Sequence, residues 1–147
     1  MSPEREREYE ELSAFLGFYC TNILGIDPSS PSHPAKVGRQ IVEEFGKSGA
    51  LEGLRQAVND MVEEMSDLAP ETISKLDADL RAAGIVTASE VRRRHAAAYK
   101  RILKRGKIRT ETEFYLVNGI VSDFGGMASE EERGVLDRLL ADYESGR

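Results

Sequence analysis

The C-terminal half of the chain combines an absence of proline with three repeats of one helix-start motif. Residues 71–147 contain no proline, so none of them breaks a helix by lacking a backbone donor. In a capping box, a Thr or Ser hydroxyl accepts an amide of the first turn, and a Glu three residues later reaches back to the cap. The three motifs are Thr87–Glu90, Thr110–Glu113 and Ser129–Glu132. They predict the starts of three helices.

Apolar residues at helical spacing extend this prediction over the rest of the chain. Seven helices are expected, and a loop with three prolines is expected over residues 25–34. The expected helices cover 2–24, 37–45, 51–65, 70 to a glycine cap at 84, 87 to about 105, 110 to about 124, and 129 to about 143. A chain of 147 residues is about the size of one domain. We therefore expect an all-α fold, a single-domain helical bundle of six or seven helices over residues 1–147.

Residues 114–121 also fit a different structure. Asn118-Gly119 lies between two β-prone runs, which is typical of a two-residue hairpin turn. An isolated hairpin is marginal in water, however, and the apolar residues here follow helical spacing. These residues are Phe114, Val117, Ile120, Val121 and Phe124. We expect a helix in which Gly119 marks a close approach to another helix, because glycine is otherwise unfavourable there.

The net charge of −6 conceals a strong segregation of charge along the chain. Residues 1–90 contain 8 Lys/Arg and 17 Asp/Glu, which gives −9. Residues 91–109 contain 9 basic residues and no acidic one, and residues 110–147 contain 3 and 9. Fields of one sign steer partners of the other sign, so this pattern bears on partners and not on the fold.

The basic segment 91–109 is expected to form one amphipathic helix whose charged side chains lie opposite an apolar face. The candidate binding residues are Arg93, Arg94, Lys100, Arg101, Lys104 and Arg105. They could bind a nucleic acid, since each neutralised phosphate releases counterions. Alternatively, they form a solvated face that balances acidic residues of the first helix or of a second subunit. If the acidic residues belong to a second subunit, the protein is expected to form a homodimer.

Few residues in the chain favour catalysis or metal binding. Cys20 is the single cysteine and lies on an apolar helix, where a buried inert thiol is expected. His33 and His95 have no partner at metal-ligand spacing, so we expect no structural metal, no cofactor and no enzyme activity. No apolar run approaches 18 residues, and the charged N-terminal residues do not resemble a signal peptide. We expect a cytoplasmic protein that does not bind membranes.

The N-terminal part of the chain resembles a known family. A helical opening is followed by a loop and by capped helices that end at Leu80 and Gly84. The opening contains Leu12, Phe15, Leu16, Phe18 and Tyr19. This order resembles the immunity proteins of bacterial contact-dependent growth inhibition systems, over about 90 residues. That family tends to continue with His and Asp where this chain has Cys20 and Thr21, so no functional residue is transferred.

The resemblance implies a small acidic protein that binds and blocks a toxin domain, often a basic nuclease. Together with the absence of catalytic motifs, it leads us to expect a non-enzymatic protein–protein interaction or adaptor function, with toxin neutralisation as one form. The alternative is a nucleic-acid-binding regulator that uses the basic helix 91–109.

Overall fold

The computed structural model describes residues 2–146, except for the side chains of residues 34 and 35. Seven α-helices and no β-strand occur in this range, which confirms the all-α prediction. The helices are α1 (Pro3–Asn22), α2 (Pro34–Glu64), α3 (Pro70–Ala82), α4 (Ala88–His95), α5 (Ala97–Arg105), α6 (Glu111–Ser122) and α7 (Glu130–Glu144). A short 3-10 turn, Met65–Asp67, separates α2 from α3.

The helices fall into two compact units, one up to Met61 and one from Val62 onward, and we describe each by itself. The expectation of one domain over residues 1–147 stays a prediction, and its two terminal residues lie outside the described range. The first unit holds α1 and most of α2. The salt bridge between Glu8 and Arg55, at 2.6 Å, joins these two helices.

Kinked α2 accounts for two of the predicted helices. Gly46 has φ of 78° and ψ of 170°, a conformation outside the helical region that glycine adopts without steric penalty. The predicted helix over 37–45 therefore ends where the kink occurs, and the predicted helix over 51–65 is the second arm of α2.

The prediction that Cys20 is buried is confirmed.

The second unit is built around α6, which contacts α3, α4, α5 and α7. Residues 114–121 lie inside this helix, so the helical prediction is confirmed and the hairpin alternative is wrong. A Cβ atom on Gly119 would lie 3.5 Å from the hydroxyl oxygen of Ser89 in α4. The expected close approach of two helices at this glycine therefore exists.

One predicted helix is wrong in a way that matters for function. The chain breaks at Ala96, where ψ is 117°, so residues 88–105 form α4 and α5 instead of one long basic helix. The five residues Ala88–Arg92 of α4 are all buried, whereas α5 buries only Tyr99 and Ile102. The break lets one part of the segment enter the interior while the other remains on the surface, and this packing outweighs the high helix propensity of alanine.

Candidate functional site

Buried Glu90 is the centre of a polar network in the second unit. Its side chain is 1% exposed. The carboxylate accepts hydrogen bonds from Arg93 at 3.0 and 3.1 Å, from Arg94 at 2.7 Å and from the backbone amide of Met127 at 2.8 Å. Burial disfavours the charge of Glu90, but the bonds from Arg93, Met127 and Arg94 outweigh burial and lower its pKa.

Glu132 at the start of α7 extends this network. It accepts a hydrogen bond from Arg93 at 3.0 Å and one from the Tyr99 hydroxyl at 2.6 Å. Tyr99 is 2% exposed, and burial followed by the bond to Glu132 raises its pKa. Arg93 thus lies between two carboxylates from different helices, which joins α4 to α7.

Asp123 organises the end of α6. Its carboxylate accepts hydrogen bonds from the Thr87 hydroxyl, from Arg81 at 3.1 Å and from the Gly125 amide at 3.0 Å. Arg133 of α7 donates to the backbone carbonyls of Val121, Asp123 and Ala128 at 3.2 to 3.4 Å. Breaking these bonds would leave buried polar groups without partners, which destabilises the fold. The bonds therefore fix the backbone of the connection between α6 and α7.

This connection, residues 123–129, is a loop that we call the interaction loop. It presents two large apolar side chains to solvent: Phe124 is 89% exposed and Met127 is 70% exposed. A Cβ atom on Gly126 would lie 2.9 Å from an Asp123 carboxylate oxygen, so the loop has no room for a side chain there. Phe124 was expected to continue the helical spacing of the sixth helix, but α6 ends at Ser122, so Phe124 lies in the loop.

A cavity of about 420 Å³ opens beside the interaction loop, between α3 and α6. Polar side chains repeat along both helices at spacings of three and four, so they share a face toward the cavity. These are Ser74, Asp77 and Arg81 on α3 and Tyr115, Asn118 and Ser122 on α6. Phe124 also lines the cavity. Burial raises the pKa of Asp77, which accepts the Ser89 amide and hydroxyl.

The structure divides the six predicted binding residues into two groups. Arg93 and Arg94 pair with Glu90, and Arg105 pairs with Glu113 at 2.9 Å. Lys100, Arg101 and Lys104 are exposed on α5, and none of them forms an ion pair with any residue in 2–146. The six do not form one surface, because the first three are bound within the fold.

The residues that build the interaction loop were missed in the sequence. Glu90 and Glu132 were recognised only as local capping residues, since the Met127 partner of Glu90 and the Arg93 and Tyr99 partners of Glu132 lie 33 to 39 residues away. Gly125-Gly126 after α6 was the available signal for a closely packed turn.

No three His, Cys, Asp or Glu side chains among residues 2–146 are grouped so that they could hold a metal ion. None of the helices in that range is both long enough and apolar enough to span a bilayer.

Comparison with known protein families, curated proteins and solved structures finds no match to this chain. The resemblance to immunity proteins therefore stays a prediction.

Proposed function

We propose that this protein is a non-enzymatic interaction or adaptor protein that binds another protein through the interaction loop. The observation that carries the proposal is Phe124, which is 89% exposed on a backbone fixed by Asp123, Arg133 and Glu90. Binding energy at protein interfaces concentrates in a few large anchors, and aromatic residues are enriched among them. A surface that is ordered before binding also loses less conformational entropy on association.

The exposed side chains of the loop are apolar, so we expect the partner to present an apolar surface to them. Phe124 and Met127 fit an apolar recess, and the Met127 sulfur, which accepts a hydrogen bond from Arg94 at 3.2 Å, is polarisable and suits an aromatic wall. Neutralisation of a toxin domain is one specific form of this proposal, as the resemblance to immunity proteins implies. A cytoplasmic location belongs to the same proposal.

Photocrosslinking tests the proposal at single positions. We expect p-benzoylphenylalanine at position 124 to form one discrete protein adduct in cells. The same amino acid at position 45 should not form it, because Phe45 is 66% exposed but belongs to α2 of the first unit and not to the interaction loop. Equal adducts from both positions, or none from position 124, would contradict the proposal.

The variant Phe124→Ser provides the functional control. Because the Phe124 side chain is almost fully exposed, we expect this variant to keep the far-ultraviolet circular dichroism spectrum and unfolding midpoint of the native protein. Its affinity for the captured partner should fall at least about tenfold, in line with the loss of an interface anchor. If the partner is a toxin domain, co-expression should protect cells, and the variant should lose that protection.

A further inference from the structure

The nine basic residues of segment 91–109 have three different fates in the structure. Arg92 is buried, and Arg93, Arg94 and Arg105 are held in ion pairs within the second unit. The other five are exposed, and none of the five forms an ion pair within the described chain. They are Lys100, Arg101, Lys104, Lys107 and Arg109, and we call them the cationic strip. Two of them lie beyond the helix and were not among the predicted binding residues.

The strip continues from a helix face into a loop whose backbone is held in place. Lys100, Arg101 and Lys104 lie within an arc of about 100° on α5, because successive helical residues are rotated by about 100°. The helix then ends at Gly106, which has the left-handed φ of 75° that favours glycine. In the loop after Gly106, the Ile108 side chain is buried and holds the backbone in place. Lys107 and Arg109, on either side of Ile108, are exposed.

Contacts of Arg105 and Glu113 fix this loop further. Arg105 donates to the Lys107 carbonyl at 3.2 Å and to Glu113 at 2.9 Å, and Glu113 accepts the Arg109 amide at 2.8 Å. Glu113 is therefore neutralised by Arg105 instead of by the strip. The nearest other acid in sequence, Glu111, accepts a hydrogen bond from the Tyr115 hydroxyl. The five cations thus keep their charge available to a ligand.

We propose that the cationic strip binds the phosphate backbone of duplex nucleic acid, independently of base sequence. Lys and Arg side chains that neutralise phosphates release counterions, which drives such binding. Proteins that bind single strands add aromatic side chains on which bases stack, and residues 100–109 contain no aromatic residue. The exposed side chain between the cations, Leu103, offers no hydrogen bond to a base edge. These features favour a duplex backbone over a single strand or a specific sequence.

The salt dependence of binding gives a quantitative test. Five phosphate contacts predict a slope of about −4.5 for log affinity against log salt, so affinity for a short labelled DNA duplex should fall about 500-fold between about 50 and 200 mM salt. The variant Lys100→Gln/Arg101→Gln/Lys104→Gln keeps two cations. Its slope should be about −1.8, which corresponds to a fall of about 12-fold over the same range. Fluorescence anisotropy measures both values.

A charge-matched variant controls for the change in net charge. Arg7, Arg39 and Arg138 are exposed and form no ion pair within residues 2–146. The variant Arg7→Gln/Arg39→Gln/Arg138→Gln loses three positive charges outside the strip, and it should retain the native slope. Circular dichroism should show native helix content for both triple variants, since each removes only exposed side chains.

Three results would overturn the proposal. The first is no duplex binding at about 50 mM salt, where the electrostatic contribution is large. The second is an equal loss of slope in both triple variants. The third is self-association of the native protein through Lys100, Arg101 and Lys104 that the duplex does not reverse, which would assign the strip to a second copy. The variant Phe124→Ser should bind the duplex like the native protein, so this test is independent of the proposed protein partner.

Discussion

Glu90 holds charge in the interior because its oxygens are supplied with donors from two directions. Arg93 and Arg94 come from its own helix, and the Met127 amide comes from the interaction loop. An ion taken out of water needs both opposite charge and hydrogen bonds, and removing one member of such a group leaves the others uncompensated. This residue therefore couples the stability of α4 to the conformation of the loop.

The variant Glu90→Gln should lower the free energy of unfolding by about 3 kcal/mol at neutral pH, because Arg93 and Arg94 lose a buried counterion. The folded pKa of Glu90 lies below its ordinary value of 4.5, so its contribution is present above that pH and is lost as pH falls through the lowered pKa. The difference between native protein and variant should therefore narrow below pH 4.5. Urea unfolding across this pH range measures it.

Glu131→Gln is the control for this measurement, since Glu131 is an exposed acid on α7. Because Glu131 lies in the first turn of α7, its removal should cost less than about 1 kcal/mol, the contribution of an exposed charge at a helix terminus. If the difference in the free energy of unfolding between the native protein and Glu90→Gln stays constant as pH falls, the destabilisation comes from altered packing and not from the lost charge.

At the scale of helices, local signals in the sequence predicted starts better than breaks. The Thr87, Thr110 and Ser129 hydroxyls each accept the amide three residues on, as the capping motifs predicted. The second bond of the capping box, from the Glu side chain back to the cap amide, is different. Glu90 bonds to Arg93 and Arg94 of its own helix and to the distant Met127 amide, and Glu132 bonds to the distant Arg93. A cap depends on four consecutive residues, whereas these carboxylate partners depend on how the helices pack, and one sequence pattern does not contain that information.

The break at Ala96 could not be predicted for the same reason. Residues 95–98 read His-Ala-Ala-Ala, which favours a continuous helix, and neither glycine nor proline is present. The break accompanies burial of Ala88–Arg92, whose polar residues find partners in the interior: Ser89 bonds to Asp77, and Glu90 bonds to Arg93. This packing engages Arg93 and Arg94, two of the six predicted binding residues, in ion pairs with Glu90, whereas Arg105 is engaged separately by Glu113.

The interaction loop should be sensitive to a single methyl group. In Gly126→Ala, the new Cβ would lie 2.9 Å from an oxygen of Asp123, which is buried and already bonded to Thr87 and Gly125 and so cannot move freely. We expect a loss of about 1 to 2 kcal/mol in the free energy of unfolding, as for an overpacked site, together with weaker crosslinking from position 124. Thermal unfolding and the adduct yield measure the two effects.

Gly134→Ala on α7 is the matched control, because a Cβ at that position meets nothing within 4 Å. Alanine there should stabilise the protein by up to about 1 kcal/mol, since glycine is unfavourable inside a helix. Equal destabilisation by both substitutions would contradict the role assigned to Gly126.

For the whole molecule, the segregated charge had suggested a homodimer in which the basic segment meets an acidic surface of a second copy, and this stays a prediction. Tyr99 of α5 and Phe114 of α6 are aromatic residues of this region that could supply apolar contacts to such a dimer. Tyr99 is instead buried within its own chain, and Phe114 stacks on Tyr143 at 5.2 Å between ring centroids. A dimer formed through α5 would consequently rest on charge pairs.

Exposed charge pairs contribute about 0 to 1 kcal/mol each and are screened by salt. We therefore expect a dimer formed through α5 to dissociate when sedimentation is repeated at high salt, and to be absent in the Lys100→Gln/Arg101→Gln/Lys104→Gln variant. A dimer that persists at high salt would contradict charge pairing and would indicate apolar contacts. In that case Phe124→Ser should be monomeric, because Phe124 is the most exposed large apolar side chain among those described.

In the interaction loop, the residues that fix the backbone are different from the residue that is most exposed to a partner. The groups that fix the loop, Asp123, Glu90 and Arg133, are engaged by hydrogen bonds within the second unit, while the Phe124 side chain is 89% exposed. Under the proposed function, substitutions at 124 alter what the surface recognises and change stability little, whereas substitutions among the supporting residues destabilise the fold. Under the proposed function, position 124 can therefore change during evolution with little effect on stability, and descendants of this chain would acquire new partners while retaining one fold.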